Sequence, residues 1–110
     1  FISTVEVGKA LQRKFGQAGL RVGEHPAFGR VGKHSPGSLH YQGRALDITD
    51  WGSGDWKSRT VTLGEQLRRA FPGAQIIHPG TDAKGHPEHI HLAFPEGRHA
   101  VTPEVLKLLG

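Results

Sequence analysis

Glycine and proline recur so often in this chain that no helix or strand can extend far without meeting one. The 110 residues contain 16 glycines and 7 prolines, so these two types fill 23 of the 110 positions. In a helix interior, glycine is about 1 kcal/mol and proline about 3 kcal/mol less favourable than alanine, so both mark the ends of elements. We therefore expect short elements joined by turns. A chain of this length supports one domain, spanning residues 1–110, with one modest core.

The hydrophobic periodicity predicts three helices and four short strands. The helices are expected at 3–17, 60–71 and 102–109, and the strands at 20–22, 44–49, 74–78 and 89–94. Ser3 or Thr4 can cap the first helix, and Thr102 followed by Pro103 is a typical start for the last one. This order predicts an α+β fold, in which helices flank a small and mainly antiparallel sheet.

Several classes of protein are excluded by composition. The chain has no cysteine, so disulfide frameworks, thiolate zinc fingers and cysteine nucleophiles are ruled out. No apolar run approaches the ~20 residues that cross a bilayer, and we expect no membrane insertion. The sequence shows no signal-peptide pattern at Phe1 and no initiator Met, which suggests a mature form or an excised domain.

The charge balance favours an anionic partner. Fourteen Lys and Arg residues against ten acidic ones give a net charge of +4, which suits nucleic acid, anionic lipid or a bacterial wall polymer. The basic residues are scattered, however, and the only adjacent pairs are Arg13-Lys14 and Arg68-Arg69. No basic run is interleaved with aromatics, as single-strand binders require, so we expect no nucleic-acid binding. A solvated basic surface is the simpler interpretation.

Histidine is abundant, with eight residues, and two segments concentrate the chemistry at 38–48 and 86–94. In the second segment, strand alternation places His89, His91 and Ala93 on one face and the apolar residues Ile90 and Leu92 on the other. The apolar face is the expected core face. Both imidazoles therefore point together away from the core, which is a common way to present metal ligands.

Asp47 lies between Leu46 and Ile48 on a predicted strand and faces away from both. A part-buried carboxylate is unfavourable unless it is paired or binds a cation. Two imidazoles and one carboxylate are a common ligand set for catalytic zinc. The pattern alone leaves alternatives open, because His40 could cap a turn and Asp47 could pair with Arg44.

A family resemblance bears on this choice. The pattern that carries it is Ser38-x-His40-x-x-Gly43-x-Ala45-x-Asp47, followed downstream by His-x-His. This pattern resembles the zinc D-Ala-D-Ala peptidases, a superfamily that includes lysostaphin-type enzymes, penicillin-insensitive murein endopeptidases and the Hedgehog signalling domain. The resemblance covers roughly residues 20–94. It implies a Hedgehog-like or DD-peptidase-like fold and a Zn²⁺ ion held by His40, Asp47 and His91.

The resemblance also implies a general base close to His91. Glu88 precedes that ligand by three residues, as the catalytic Glu does in the dipeptidase branch. His89 precedes it by two, as the catalytic His does in the murein endopeptidase and lysostaphin branches. Strand alternation places His89 on the metal face, so we favour His89 over Glu88. His86 has a counterpart in the murein endopeptidase pattern and could assist.

Other positions carry weaker expectations from the same resemblance. The family often has an upstream Arg that polarises the scissile carbonyl, and Arg30 is the nearest candidate, with Arg21 second. The D-Ala-D-Ala branch usually has Trp before its ligand His, where this chain has Ile90. Ser38, Tyr41 and Trp51 are candidate substrate-binding residues, although Ser38 could simply form a turn and an aromatic is more often a core residue.

Two further expectations concern residues around these motifs. Gly43 is expected to allow either a close backbone approach or a positive φ between the ligand His40 and the following strand. Among the remaining histidines, His78 ends a predicted strand and could face the cleft, whereas we expect three to be ordinary surface residues, namely His25, His34 and His99.

Taken together, the resemblance implies a peptidase that hydrolyses an amide bond in bacterial peptidoglycan, in stem or cross-link peptides. The reaction would use metal-activated water, in a carboxypeptidase or an endopeptidase. Such acidic substrates suit the basic surface. We expect a monomer that works outside the cytoplasmic membrane, as a secreted or periplasmic enzyme or as a phage lysin domain. The alternatives are a non-hydrolytic zinc-containing binding module of the same fold and a basic nucleic-acid-binding domain.

Overall fold

The computed structural model describes residues 1–29, 31–32, 37–49, 55–80 and 89–110. Within these ranges the chain forms three α-helices and six strands. The helices are α1 (Thr4–Phe15), α2 (Trp56–Ala70) and α3 (Pro103–Leu109). The strands are β1 (Ile2–Ser3), β2 (Arg21–Gly23), β3 (Ala45–Thr49), β4 (Gln75–Ile77), β5 (Ile90–Ala93) and β6 (Arg98–His99). The predicted α+β class is confirmed.

Helix starts follow the capping residues in the sequence. Ser3 caps α1 through a capping box, in which its side chain accepts from the Glu6 backbone N–H while the Glu6 carboxylate accepts from Ser3. Thr102 caps α3 by accepting from Val105, and Pro103 is the first helical residue, as predicted. The first and last helices therefore begin where local hydrogen bonding favours them.

The sheet that carries the candidate site has four antiparallel strands in the order β2-β3-β5-β4. Its centre is the β3–β5 pair, in which Leu46 lies opposite Leu92 and Asp47 lies opposite His91. A separate two-stranded ladder pairs β1 with β6. Each of its strands has two residues, too few for an alternation pattern, and the sequence did not predict them.

The core lies between one face of this sheet and the helices. Alternate residues of the central strands are fully buried and join apolar residues of α1 and α2 in one cluster. Burying a Val, Leu or Ile side chain contributes about 1.5–3 kcal/mol to the free energy of unfolding relative to leaving it exposed. The strand residues in this cluster are Val22, Leu46, Ile48, Ile90 and Leu92, and the helical ones include Val7, Leu11, Leu63 and Leu67. The sheet therefore presents its other face to the candidate site.

Helix α2 begins at Trp56, four residues before its predicted start at Thr60. The Thr60 hydroxyl donates to the Trp56 carbonyl, and Trp56 packs against the core cluster, so tertiary contact extends the helix. Trp56 is thus a packing residue, in line with the more common role of an aromatic. Within the described ranges, no helix is long and apolar enough to cross a bilayer.

Candidate metal centre

Asp47 and His91 face each other across the two central strands. Register places them directly opposite, on the sheet face that points away from the core. Side chains at directly opposite positions have Cβ atoms about 4.5–5.5 Å apart and therefore interact. Here Asp47 Oδ1 lies 3.6 Å from His91 Nδ1. The predicted orientation of Asp47, away from Leu46 and Ile48, is confirmed.

His40 reaches the same point from the turn that precedes β3. The Ser38 hydroxyl accepts from the His40 backbone N–H, and Gly43 adopts a positive φ of +70°, one of the two alternatives expected from the sequence. His40 itself is buried, with its Nε2 3.2 Å from His91 Nδ1 and 3.5 Å from Asp47 Oδ1. The turn thus adds a second imidazole to the pair on the sheet.

The outer nitrogen of each imidazole faces an oxygen that accepts a hydrogen bond. His40 Nδ1 donates to the Glu24 carbonyl oxygen at 2.7 Å, and His91 Nε2 donates to Gln75 Oε1 at 2.9 Å. A neutral imidazole carries one N–H, so a ring that donates from its outer nitrogen presents a lone pair from its inner one. Both lone pairs then point toward Asp47.

Asp47 Oδ1 is the buried atom on which these groups converge. Among the described residues it has no hydrogen-bond partner, an arrangement that is unfavourable for a buried acceptor unless a cation is present. Burial acts to raise the pKa of Asp47. The interaction with His91 acts in the opposite direction, as do the positive charges of His89, His40 and His91 when these imidazoles are protonated. Together these effects outweigh burial and hold the pKa of Asp47 below its ordinary value. The carboxylate form is therefore the one present at neutral pH.

This arrangement can hold a metal ion. One ligand atom from each of His40, Asp47 and His91 lies within 4.8 Å of the others. Two imidazole nitrogens and one carboxylate oxygen face one another here. The outer nitrogen of each imidazole is already hydrogen-bonded, so the three facing atoms form a set of electron-pair donors. The fold thus brings the sequence-predicted ligand set together. The alternative pairing of Asp47 with Arg44 is not formed, because Arg44 Nη1 donates to the Pro95 carbonyl.

His89 lies beside this group. Its Nε2 is 3.7 Å from Asp47 Oδ2, the second oxygen of the same carboxylate, and its side chain is about one-quarter exposed. This distance is too long for a hydrogen bond but short enough for electrostatic attraction when the imidazole is protonated. His89 therefore combines a position at the carboxylate with access to solvent.

The remaining sequence candidates divide into two groups. Ser38 holds the backbone of His40, while exposed Tyr41 reaches the Gly32 carbonyl at 3.4 Å. Arg21 is exposed on β2 opposite Thr49, and register places it on the same sheet face as Asp47. The other candidates lie outside the described residues, and they are Arg30, Trp51, His86 and Glu88, together with His34.

Two histidine predictions are wrong. His25 is buried, not a surface residue, because its Nδ1 accepts from Ala27 N–H and its Nε2 donates to the Gly43 carbonyl, which ties this loop to the His40 turn. His78 does not face the cleft. It is fully buried on the helix side, where it contacts Glu65 of α2 at 2.7 Å.

The prediction for His99 also needs correction. Its ring is only partly exposed and lies 5.1 Å from the ring of Phe71 and 5.7 Å from that of Phe94, measured between centroids. His99 is therefore part of an aromatic cluster rather than an ordinary surface residue.

Sequence reasoning missed Glu24 and Gln75, which orient the two imidazoles. Glu24 contributes a backbone carbonyl, and its residue type gives no signal of that role. It is, however, the one non-glycine residue with positive φ among those described, at 57°, and its carboxylate accepts from Gly32 N–H. Strand alternation could have assigned Gln75 to a face, but only strand pairing shows that this face contains His91.

Comparison with known proteins does not identify the family. No protein-family model matches the sequence, and no solved structure matches the fold. The residues of the site are therefore the guide to its chemistry.

Proposed function

We propose that this protein is a zinc-dependent peptidase that hydrolyses an amide bond in the stem or cross-link peptides of bacterial peptidoglycan. The single observation behind the proposal is the convergence of two imidazoles on a buried oxygen of Asp47 that has no hydrogen-bond partner among the described residues. The proposed fold is that of the Hedgehog and D-Ala-D-Ala peptidase group. This assignment draws on the sequence pattern and on a helix-flanked antiparallel sheet that carries the ligands.

The donor chemistry favours zinc over the hard cations. Mg²⁺ and Ca²⁺ prefer all-oxygen ligands, whereas two imidazoles with one carboxylate are typical of zinc sites that retain an open position. The residues present fit such an ion, because Asp47 supplies a negative charge and both imidazoles present lone pairs. A zinc ion bound here would polarise a carbonyl and lower the pKa of a water molecule to about 7.

The surrounding residues supply the proton chemistry. His89 is the proposed general base, which accepts the proton of the attacking water and delivers it to the leaving amine. Asp47 Oδ2, 3.7 Å from His89 Nε2, stabilises the imidazolium that forms. The partial exposure of His89 leaves it accessible to substrate.

The basic surface is consistent with a substrate that carries carboxylates. The net charge is +4, and wall peptides are rich in free carboxyl groups, so long-range attraction would raise the rate of encounter. We propose a monomeric enzyme that acts outside the cytoplasmic membrane or as part of a phage lysin.

The proposal is tested by metal content together with turnover. We expect one zinc per chain, cleavage of purified peptidoglycan peptides, and loss of both in His91→Ala. His89→Ala should retain zinc and lose about 10²–10⁴-fold in turnover, the usual contribution of a general base. His99→Ala removes an imidazole on β6, which belongs to the separate two-stranded ladder, and should keep zinc and turnover.

Two outcomes would contradict the proposal. Protein without stoichiometric zinc, and with cleavage unaffected by His91→Ala, would remove the metal from the reaction. Zinc-loaded protein without turnover would identify the non-hydrolytic binding module instead. Mass spectrometry of the digestion products identifies the bond and separates carboxypeptidase from endopeptidase action.

A further inference from the structure

We propose that Gln75 is a positioning residue for His91, which selects the imidazole tautomer that can bind a metal through Nδ1. This inference rests on the proposed metal site and adds a residue that the sequence pattern does not contain. Its evidence is the 2.9 Å contact between Gln75 Oε1 and His91 Nε2.

The contact results from strand pairing. Gln75 begins β4 and is paired with Ala93, while His91 is paired with Ile77, so Gln75 and His91 are diagonal neighbours on one sheet face. Gln75 is exposed and is not part of the core cluster. Packing therefore does not explain its position, and its amide is available to orient the ring.

The two imidazoles need opposite tautomers. His40 is oriented to bind through Nε2, because its Nδ1 donates to the Glu24 backbone carbonyl. His91 is oriented to bind through Nδ1, because its Nε2 donates to Gln75. In free imidazole the Nε2–H form is somewhat preferred, but a ring in an asymmetric site takes the tautomer that its hydrogen bonds select. The backbone acceptor of His40 is present with any residue at position 24, whereas the acceptor of His91 depends on the side chain of Gln75.

Removing the Gln75 acceptor should therefore weaken metal binding without weakening the fold. Outer hydrogen bonds to ligand histidines typically change metal affinity about 10–100-fold. We expect Gln75→Leu to lose zinc affinity by that factor, because Nδ1–H and rotated forms of the His91 ring become populated and compete with metal binding. Gln75→Glu keeps an acceptor at the same position and should retain zinc affinity at or above that of the unmodified protein.

The first test uses the metal-free protein. Long-range ¹H–¹⁵N correlation spectra of the imidazole rings distinguish Nδ1–H from Nε2–H histidines. We expect His91 to show the Nε2–H pattern in the unmodified protein and in Gln75→Glu, and to change toward Nδ1–H in Gln75→Leu. The His40 signals should keep the Nδ1–H pattern in all three proteins, because His40 Nδ1 donates to the Glu24 carbonyl.

The second test is zinc affinity by competition with a chromophoric chelator. Gln66→Leu is the matched control, because Gln66 is an exposed glutamine on α2, a helix on the opposite side of the sheet. It should leave zinc affinity unchanged. Urea unfolding of the metal-free variants should give the same midpoint for Gln75→Leu as for the unmodified protein, which shows that the effect is not a loss of folding.

These tests separate the two proposals. If the unmodified protein does not bind zinc, the proposed function fails, while the tautomer spectra still decide whether Gln75 orients His91. If zinc binds but Gln75→Leu changes neither the affinity nor the His91 spectrum, the role of Gln75 is refuted and the metal site stands. An Nδ1–H pattern for His91 in the unmodified, metal-free protein would also overturn the inference.

Discussion

Replacing Asp47 by asparagine distinguishes a metal site from an ordinary polar cluster, because the two predict opposite changes in stability. Asp47 Oδ1 lies 3.5 Å from His40 Nε2 and 3.6 Å from His91 Nδ1. If both nitrogens present lone pairs, the buried carboxylate of the metal-free protein faces two hydrogen-bond acceptors. If instead the imidazoles carry the protons, the carboxylate is a hydrogen-bonded partner that stabilises the fold.

The expected magnitude at pH 8 follows from this geometry. An imidazole that presents a lone pair to Asp47 carries no positive charge to stabilise the carboxylate. The asparagine NH₂ group can donate to one of the two lone pairs, and such a bond contributes about 0.5–1.5 kcal/mol net. We expect metal-free Asp47→Asn to be about 1 kcal/mol more stable than the unmodified protein, a rise in Tm of roughly 4–8 °C for a domain of this size.

Zinc should reverse the order of stability. A ligand at 100 times its Kd stabilises the folded state by about 2.7 kcal/mol. Asparagine removes the negatively charged candidate ligand among the described residues, so the variant should gain much less from zinc than the unmodified protein. The assay is thermal unfolding of both proteins in EDTA and in excess zinc, with Asp55→Asn as a control, since Asp55 is an exposed partner of Arg59 outside the site.

One result would refute this reasoning. If Asp47→Asn is less stable than the unmodified protein in EDTA at pH 8, and zinc raises the Tm of neither, Asp47 belongs to a structural His–Asp network. Breaking a buried pair of that kind typically costs about 3–5 kcal/mol, so the two cases differ in sign and in size.

Two further predictions concern the helix side of the sheet. Gly64→Ala should lower the free energy of unfolding by about 1–2 kcal/mol in urea titrations, because overpacking outweighs the helix propensity gained. A Cβ there would clash with the buried ring of His78, whereas a Cβ at Gly16 would meet nothing within 4 Å. Gly16→Ala should therefore be neutral or stabilising, and equal effects of the two substitutions would contradict the packing argument. Hydrogen bonds from His78 and Arg68 lower the pKa of Glu65 from its ordinary value of 4.5. The Glu65 carboxylate therefore makes its full contribution to stability above pH 4.5. This contribution is lost as the pH falls through the lower pKa of the folded state. Glu65→Gln should therefore reduce stability at pH 7 but not at pH 2, and a constant difference across that range would contradict the assignment.

The helices and the central strands could be predicted because their signals are local. The capping residues Ser3 and Thr102 mark two helix starts, and the alternation around Asp47 and His91 gives the correct sheet face for both residues. The roles of His25 and His78 could not be predicted, because their partners are 18 and 13 residues away along the chain. A histidine in a loop or at a strand end has the same local pattern whether it is buried or exposed.

The candidate site shows the same division. The sequence by itself determined the residue types of the candidate ligands and the strand faces of Asp47 and His91, since strand geometry requires alternate side chains to share a face. Only the tertiary structure decided that Asp47 and His91 are paired and that the His40 turn folds over them. It alone decided the acceptors, Glu24 and Gln75, that fix the imidazole tautomers, because a hydrogen bond depends on distance and angle between groups remote in sequence.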